Sequence, residues 1–366
     1  MTMPVATDRG RVPAVVRAAA VLQAVSTAGR PVGLAELTLA VGAPKSSVMG
    51  VCHALTEERL LTRGADGSYI LGPRVLEFGS AARAQHQSLR SIGFSYPIDE
   101  PFFRAEIKAL REETSRIGAT ADIRSAELDT ARQVSDVARF IADGVDLVLV
   151  EPVTSDGLQE VFATARAARI PVVAVGSATI GADAVAATDN TKAGALAGAA
   201  LVRVLGAEGR IAIVGGTPIT ANADRVAGFL SVISANPGLR VVVTRYAGLD
   251  EISGERAALE LLEEGAEFDG MFASNDQIAL GAAGVLAAAG RAVPIVSVDG
   301  GRMAIDQILA GGPLAATAAQ DPGGLVRAGL ELGAALYGGL GVGRRSVYLP
   351  PRLIDTLNVG DYQPWG

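Results

Sequence analysis

Residues 141–152 read IADGVDLVLVEP and, after a helical run, residues 169–177 read RIPVVAVGS; residues 262–276 read LEEGAEFDGMFASND and residues 292–300 read AVPIVSVDG. Both copies run in the same order: helix end, glycine, apolar strand, polar strand end, helix, proline-led apolar strand, polar strand end. This half-length repeat restricts the fold more than any other feature. Strands apolar along their whole length and separated by helices build parallel sheets covered on both faces. Such runs stand at 92–95, 147–150, 172–175, 211–214, 241–244, 271–273 and 295–298. The expected architecture is α/β, with two similar doubly wound lobes. Ligands of such sheets bind beyond the carboxyl ends of the strands, so two facing lobes make a cleft. The strand ends are Glu151-Pro152, Gly176-Ser177, Ser274-Asn275-Asp276 and Asp299-Gly300.

The front of the chain follows a different pattern. Residues 34–63 read LAELTLAVGAPKSSVMGVCHALTEERLLTR. Val48, Val51, Cys52 and Leu55 recur at i, i+3, i+4 and i+7, which predicts one apolar stripe on a helix beginning near Lys45. The opposite face carries Ser46, Ser47, Met49, Gly50 and His53, side chains slim enough to let a helix enter a major groove. Leu34, Leu37 and Ala40-Val41 predict a shorter first helix, and Gly42-Ala43-Pro44 the break, which is helix-turn-helix spacing. Leu60 to Arg63, Gly64 to Gly67 and Ser68 to Leu71 then read as strand, turn, strand, a small wing. A helix ahead of all this, with Pro13 in its first turn, is expected to pack through Val12, Val15, Val16, Ala19, Leu22 and Val25.

Charge separates the two parts. The chain has a formal charge of −7, but residues 1–90 carry ten Lys/Arg against six Asp/Glu, or +4, and the remainder 22 against 33, or −11. The basic end is the helix-turn-helix end, as double-stranded DNA requires. A single cysteine excludes an internal disulfide, and Cys52 on the apolar stripe reads as a core residue. With two histidines, His53 and His86, there is little acid–base machinery and no basis for a metal cluster or a bound cofactor; no catalytic residue is assigned. Arg9 and Arg11 ahead of residues 12–25 loosely imitate a secretion signal, but Arg17 interrupts the apolar run, and the expectation is a cytoplasmic protein with no membrane contact. Residues 211–216, IAIVGG, end a strand on a glycine pair but lack the G-x-G-x-x-G spacing of a dinucleotide site.

Two families resemble the two parts. From about Val12 to Ala82 the chain resembles the winged helix-turn-helix of IclR-type bacterial transcription factors, through LAEL, the GAPKSSV turn and DGSYILGPRVLEFG. Members carry a polar or basic pair where this chain has Met49-Gly50. The resemblance implies DNA contact by Lys45, Ser46, Ser47, Met49, Gly50, His53 and the wing residue Arg63. From residue 91 to about 355 the chain is similar to periplasmic sugar-binding proteins of the ribose type and to LacI-type effector domains. The matching pieces are Pro101-Phe102-Phe103, Asp189-Asn190, residues 225–229 RVAGF, residues 273–276 ASND, residues 298–300 VDG and residues 314–320 LAATAAQ.

The second resemblance implies that Phe102 or Phe103 lies on a sugar ring while Arg225, Asn275, Asp299 and Gln320 bond its hydroxyls. Tyr96, Glu100, Glu151, Ser177 and Leu249 complete the expected ligand set. Ribose binders carry an asparagine at Glu100, an Asp-Arg pair at Gly176-Ser177, a small polar residue at Tyr96 and an aromatic one at Leu249. The expected ligand is therefore a sugar, sugar alcohol or similar small polar metabolite, with an amine-bearing one favoured if Glu100 and Asp299 act together.

The organisation expected is a winged helix-turn-helix in 1–83, a polar linker in 84–90 and a two-lobed ligand-binding domain in 91–366. Lobe 1 is expected to hold 91–191 and 300–321, and lobe 2 192–299 and 322–355. Function follows as a ligand-responsive transcriptional regulator, in which cleft closure alters a homodimer, or dimer of dimers, on a pseudopalindromic operator. Two alternatives remain at this point: a transport-type sugar-binding protein, and a dinucleotide-binding enzyme.

Overall fold

The computed structural model describes residues 12–85, 88–339 and 346–366. Arg9, Arg11, His86 and part of the stretch 84–90 lie outside them; the described part of that stretch begins with the end of a helix. The chain divides into two compact units, 1–88 and 89–366.

The first unit contains α1 (Pro13–Ala28), α2 (Leu34–Val41), α3 (Lys45–Glu57), β1 (Leu61–Arg63), β2 (Tyr69–Leu71) and α4 (Pro73–Gln85). Gly42, at φ 64°, closes α2 in the left-handed conformation and lets the chain turn into α3. Val48, Cys52 and Leu55 of α3 are buried with Leu37, Leu61 and Tyr69, so the stripe read from the sequence is the face that packs. Strands β1 and β2 pair antiparallel as a two-stranded wing, Leu61 opposite Leu71. The packing of α1 differs from the expectation. Val21 and Val25 are its buried residues, with Ala18, Leu22, Ala24 and Ala28 against the same core, whereas Val12, Val15 and Val16 are exposed. The core reaches only the last three turns of α1, so among the described residues the apolar side chains of its first turns have nothing to cover them.

The second unit holds two six-stranded sheets. In lobe 1, β3 (Ser91–Tyr96), β4 (Thr120–Ser125), β5 (Leu147–Val150), β6 (Val172–Gly176), β7 (Ala184–Thr188) and β13 (Ser346–Leu349) stand in the order β13-β7-β6-β5-β3-β4. In lobe 2, β8 (Gly209–Gly215), β9 (Leu239–Tyr246), β10 (Gly270–Ala273), β11 (Ile295–Asp299), β12 (Leu314–Ala319) and β14 (Arg352–Asp355) stand in the order β14-β12-β11-β10-β8-β9. The two orders correspond strand for strand, and the repeated segments fall on β5–β6 and β10–β11. Every pairing is parallel except β12 with β14.

Sheet membership corrects the expected division of the lobes. Residues 300–319 belong to lobe 2, because β12 pairs with β11. Residues 322–339 and 346–349 belong to lobe 1, because α13 (Pro322–Tyr337) packs on α5 (Pro101–Ile117) and on β5, β6 and β7, and β13 pairs with β7. The chain thus crosses between lobes after Thr188, after Ala319 and at Pro350-Pro351. The helix after each of the first two crossings completes the opposite lobe: α8 (Asn190–Leu205) covers β10–β12, and α13 covers β5–β7. Asp189 and Asp321 cap these two helices, accepting from the amides of Lys192 at 3.0 Å and Gly324 at 2.7 Å. Among the described residues, no helix is long and apolar enough to cross a membrane.

Candidate functional site

The carboxyl ends of the two sheets face one another, and the cleft between them gathers residues from both lobes. Lobe 1 contributes Glu100, Phe102 and Phe103 from the start of α5, Glu151 after β5, and Gly176 at the end of β6. Lobe 2 contributes Ile219, Ala221, Asn222 and Arg225 around α9 (Thr220–Ser234), Leu249, and Asn275 and Gln277 around α11 (Asp276–Ala288). Asp299, Gln320 and Trp365 complete the lining. Nine of the eleven residues expected to touch a ligand therefore line the cleft.

Arg225 and Asp299 form its polar centre, both more than nine-tenths buried. Arg225 donates from Nε to Asn190 Oδ1 at 2.8 Å, and from Nη1 to the Ser274 carbonyl at 2.7 Å and to Asp299 Oδ1 at 3.4 Å. Its Nη2 takes part in none of these bonds. Gln320 Nε2 donates to the same Asp299 oxygen at 2.6 Å. Burial pushes the Asp299 carboxyl up, and Arg225 and Gln320 act against that rise. Asp299 holds φ at 137°, a conformation that costs an L-residue of order 1–3 kcal/mol and persists only where its surroundings enforce it.

Asp276 does the enforcing. Its carboxylate accepts from Gly300 N and Gly301 N, both at 2.8 Å, from Ser297 Oγ at 2.5 Å and from Thr317 Oγ1 at 2.8 Å. Burial and the charge of Asp299 push this group up to about 7, against the bonds from Ser297, Gly301 and Thr317. On the other side, Tyr362 O–H and Trp365 Nε1–H donate to the carbonyls of Gly300 and Asp299, each at 3.1 Å. The final residues of the chain thus lie on the turn 299–301, and this places Trp365 in the cleft. The Trp365 ring meets Phe102 edge to face at 5.5 Å, and Phe102 meets Phe103 in the same way at 5.7 Å. These rings provide the apolar surface that the C–H faces of a small polyol need, beside a rim of hydrogen-bonding groups.

Three expected ligand residues have other principal roles. Tyr96 does not line the cleft; it stacks on Phe94 at 5.9 Å and supports Phe103 from behind at 6.2 Å. Ser177 is buried and does not line it either; its Oγ accepts from Ala221 N at 3.2 Å. With Ser155, whose Oγ accepts from Thr220 N at 2.8 Å, it caps the start of α9 from the opposite lobe. No side chain of the segment leading into α9 does this, so the first amides of that helix are satisfied by lobe 1. Asn275 lines the cleft, but its Oδ1 caps α11 by accepting from Ile278 N and its Nδ2 donates to the Leu249 carbonyl, both at 2.9 Å.

In the first unit, α3 leaves Lys45, Ser46, Met49, Gly50 and His53 exposed, as it does the wing residue Arg63. Ser47 is half-buried and accepts from Arg17 Nη1 of α1 at 3.0 Å, so it is turned toward the unit's own core. His53 lies 3.6 Å from Glu57, and the Arg63 guanidinium lies 5.9 Å from the centre of the Tyr69 ring. A methyl group on Gly50 would meet nothing within 4 Å. The fold of this unit therefore does not require glycine there.

Comparison with known proteins agrees with this geometry. A model of the periplasmic binding protein domain matches residues 92–340. The chain belongs to the periplasmic binding protein family. It is 32% identical over 236 residues to the ribose import binding protein of Bacillus subtilis, covering 63% of this chain and 76% of that one. An ABC transporter solute binding protein from Mycobacterium smegmatis, solved with bound glycerol, superposes with a TM-score of 0.72 at 30% identity, over 76% of this chain and 99% of the other. One from Bacillus halodurans, solved with bound myo-inositol, superposes at 0.70 and 26% identity, over 75% and 97%. A model of the IclR helix-turn-helix domain matches residues 14–65. The protein thus joins an IclR-type helix-turn-helix domain to a binding-protein body, and that body is a binding fold rather than a catalytic one.

In this periplasmic binding protein the residues that sequence reasoning missed are Asn222, Gln277 and, above all, Trp365, which follows the last strand with no periodicity to place it. Trp365 is the only tryptophan of the chain, so its emission reports on the cleft alone. Adding a ligand to the full-length protein is expected to shift that emission, and Trp365→Phe to remove the signal while calorimetry still detects heat. Unchanged emission alongside measurable heat would place the bound molecule away from the aromatic wall.

Proposed function

We propose that the cleft binds a sugar, a sugar alcohol or a closely similar small polar metabolite, and that this binding controls the attachment of the amino-terminal domain to DNA. The observation that carries the first half is the convergence of Arg225, Asp299 and Gln320 on one edge of a cleft walled by Phe102, Phe103 and Trp365. A planar guanidinium supplies fixed donors, a carboxylate accepts from adjacent hydroxyls, and an amide does both. Relatives named for ribose, or solved with glycerol or myo-inositol, support the same ligand class.

The second half rests on the helix-turn-helix domain and on the face that α3 leaves open. The +4 charge of residues 1–90 favours phosphate contact, and Gly50 lets backbone approach a partner closely. In this reading the protein is a cytoplasmic homodimer on a two-fold operator, and the sense of regulation depends on which lobe arrangement the operator selects. Lys45→Ala with Ser46→Ala is expected to weaken operator binding at least tenfold and to leave ligand affinity alone. Gly50→Ala is expected to stabilise α3 by about 1 kcal/mol, as alanine does inside a helix, and to weaken DNA binding by obstructing backbone approach. Both are read by mobility shift on selected DNA across a salt series, where affinity falls steeply as counterions are released. A flat salt response, or unchanged affinity in both variants, would remove α3 as the reading helix.

A second reading is a transport-type binding protein that delivers its ligand to a permease. The relatives favour it, since the ribose relative is an import binding protein and the two matching structures are transporter components. Cell fractionation separates the two readings. Recovery outside the cytoplasm, with no DNA selected from a random pool, supports transport; recovery with the nucleoid supports regulation.

A further inference from the structure

Building on the reading of the cleft as a polyol site, we propose that its preferred ligand is an amino polyol, a small hydroxylated molecule carrying one ammonium group, held by Glu151 with Glu100 nearby. Among the described residues, the lining contains three carboxyl groups, Glu100, Glu151 and Asp299, and a single cationic side chain, Arg225. Arg225 and Gln320 already serve Asp299. The surplus charge therefore belongs to the lobe 1 wall, and the carboxylate paired with Glu100 in this role is Glu151 rather than Asp299.

Glu151 is only 6% exposed, and its Oε2 has no hydrogen-bond partner among the described residues. It is held at the floor of the cleft by Gly176: a Cβ there would come within 2.0 Å of Glu151 Oε1, and φ at that glycine is 70°. Behind it lies Glu106 of α5, fully buried, with no donor for either oxygen among the described residues. Two buried carboxyl groups side by side cannot both be ionised, so the pair shares a proton. Burial and the charge of Glu151 push Glu106 well up, and burial pushes Glu151 to about 7. The charged groups acting on Glu151 are Glu106 of α5, Arg225 of α9 and Asp299 at the end of β11.

Glu100 is similarly short of positive charge. Burial raises it, and so do Asp250, Asp99 and Glu251; Arg104 opposes them but is paired with Asp99 at 2.7 Å. A neutral hydroxyl gives Glu151 one donor and no charge. An ammonium gives three donors and a positive charge, and takes the place of the proton Glu151 would otherwise hold. Where Glu151 holds a proton, binding displaces it to solvent and the N–H donors take its place, while Glu106 keeps its own proton; no covalent bond to the ligand forms.

The sign of the pH dependence follows. As pH rises through about 7 Glu151 ionises beside a Glu106 that keeps its proton, and ammonium binding tightens; as pH falls Glu151 is protonated as well and the preference fades. The test is calorimetry of the full-length protein with ribose, myo-inositol and a set of monoamino-deoxy analogues of each, at pH 5.5 and pH 8. The expected result is that at least one amino analogue binds tenfold or more tighter than its parent at pH 8, that this ratio shrinks at pH 5.5, and that buffers of different ionisation heat reveal proton release at pH 5.5. Glu151→Gln is expected to bring the ratio close to one; Glu106→Gln, which removes the shared proton's second site, provides a separate check should the first variant misfold. Parents that bind as tightly as every amino analogue at both pH values would overturn this inference and leave the polyol reading standing. If no member of the set binds, the polyol reading falls and this inference with it.

Discussion

Replacing Asp299 by asparagine is expected to weaken ligand binding by roughly 30-fold to several thousand-fold, the equivalent of the 2–5 kcal/mol that truncating one partner of a buried charge pair costs. Asp299 supports the cleft in two ways. Its carboxylate accepts from Arg225 and Gln320 through Oδ1 alone, which leaves Oδ2 for a ligand hydroxyl. Its backbone, at φ 137°, is fixed by the Asp276 bonds to the next two amides and by Trp365 on its own carbonyl. Asparagine preserves the shape and the backbone, so the loss reports on charge. It leaves the buried Arg225 without its anionic partner, and the amide presents a donor on one side where two acceptors stood. Calorimetry with a binding ligand measures the loss, and circular dichroism checks that the fold persists. An affinity within threefold of the parent would show that the ligand does not engage this edge of the cleft.

The second large effect concerns the helix pair that carries Arg225. Helices α8 and α9 cross at two glycines: a Cβ on Gly194 would lie 1.8 Å from the Arg225 carbonyl oxygen, and one on Gly228 1.9 Å from that of Thr191. Neither obstacle is a flexible side chain, so the helices themselves must separate. Gly194→Ala or Gly228→Ala is expected to cost about 3 kcal/mol or more, the upper end of overpacking effects, and to lower the melting temperature by roughly 6–12 °C for a unit of this size. Gly284→Ala is the control, because a methyl group there meets nothing within 4 Å; it is expected to be neutral or mildly stabilising. A melting temperature unchanged in both crossing variants would mean that the helices are not in this close register.

Legibility in the sequence followed how local each signal is. The strands read correctly, such as Leu147–Val150 and Ile295–Asp299, are buried on both faces and announce themselves as continuous apolar runs. The edge strand Thr120–Ser125, with its half-exposed TADIRS, and the small-residue strands AVAAT and LAATAA carry no such run. Missing the last of these placed the second crossing in the wrong position and exchanged the lobes of 300–319 and of the segments 322–339 and 346–349. The signal was nevertheless available: AVAATDN and LAATAAQD are the two strand-to-crossing segments of the same repeat, each followed by a helix that completes the other lobe. Among the cleft residues, those at strand ends were legible because strand ends in a doubly wound sheet converge. Glu106, which lies behind the cleft, was not legible, since one charged residue among several in α5 gives no hint that it is the buried one.

From the sequence alone came the two kinds of domain, the repeat and the strand ends where side chains from distant positions meet, because these depend on apolar periodicity and on chain order. Tertiary structure decided which side chains face a ligand and which are spent elsewhere: Asn275 on its own helix, Ser177 on the start of α9, Ser47 on Arg17. It also decided that Trp365, far along the chain from Asp299, covers the same turn. Periodicity reports which face of an element is buried; it carries no information about which partner waits there.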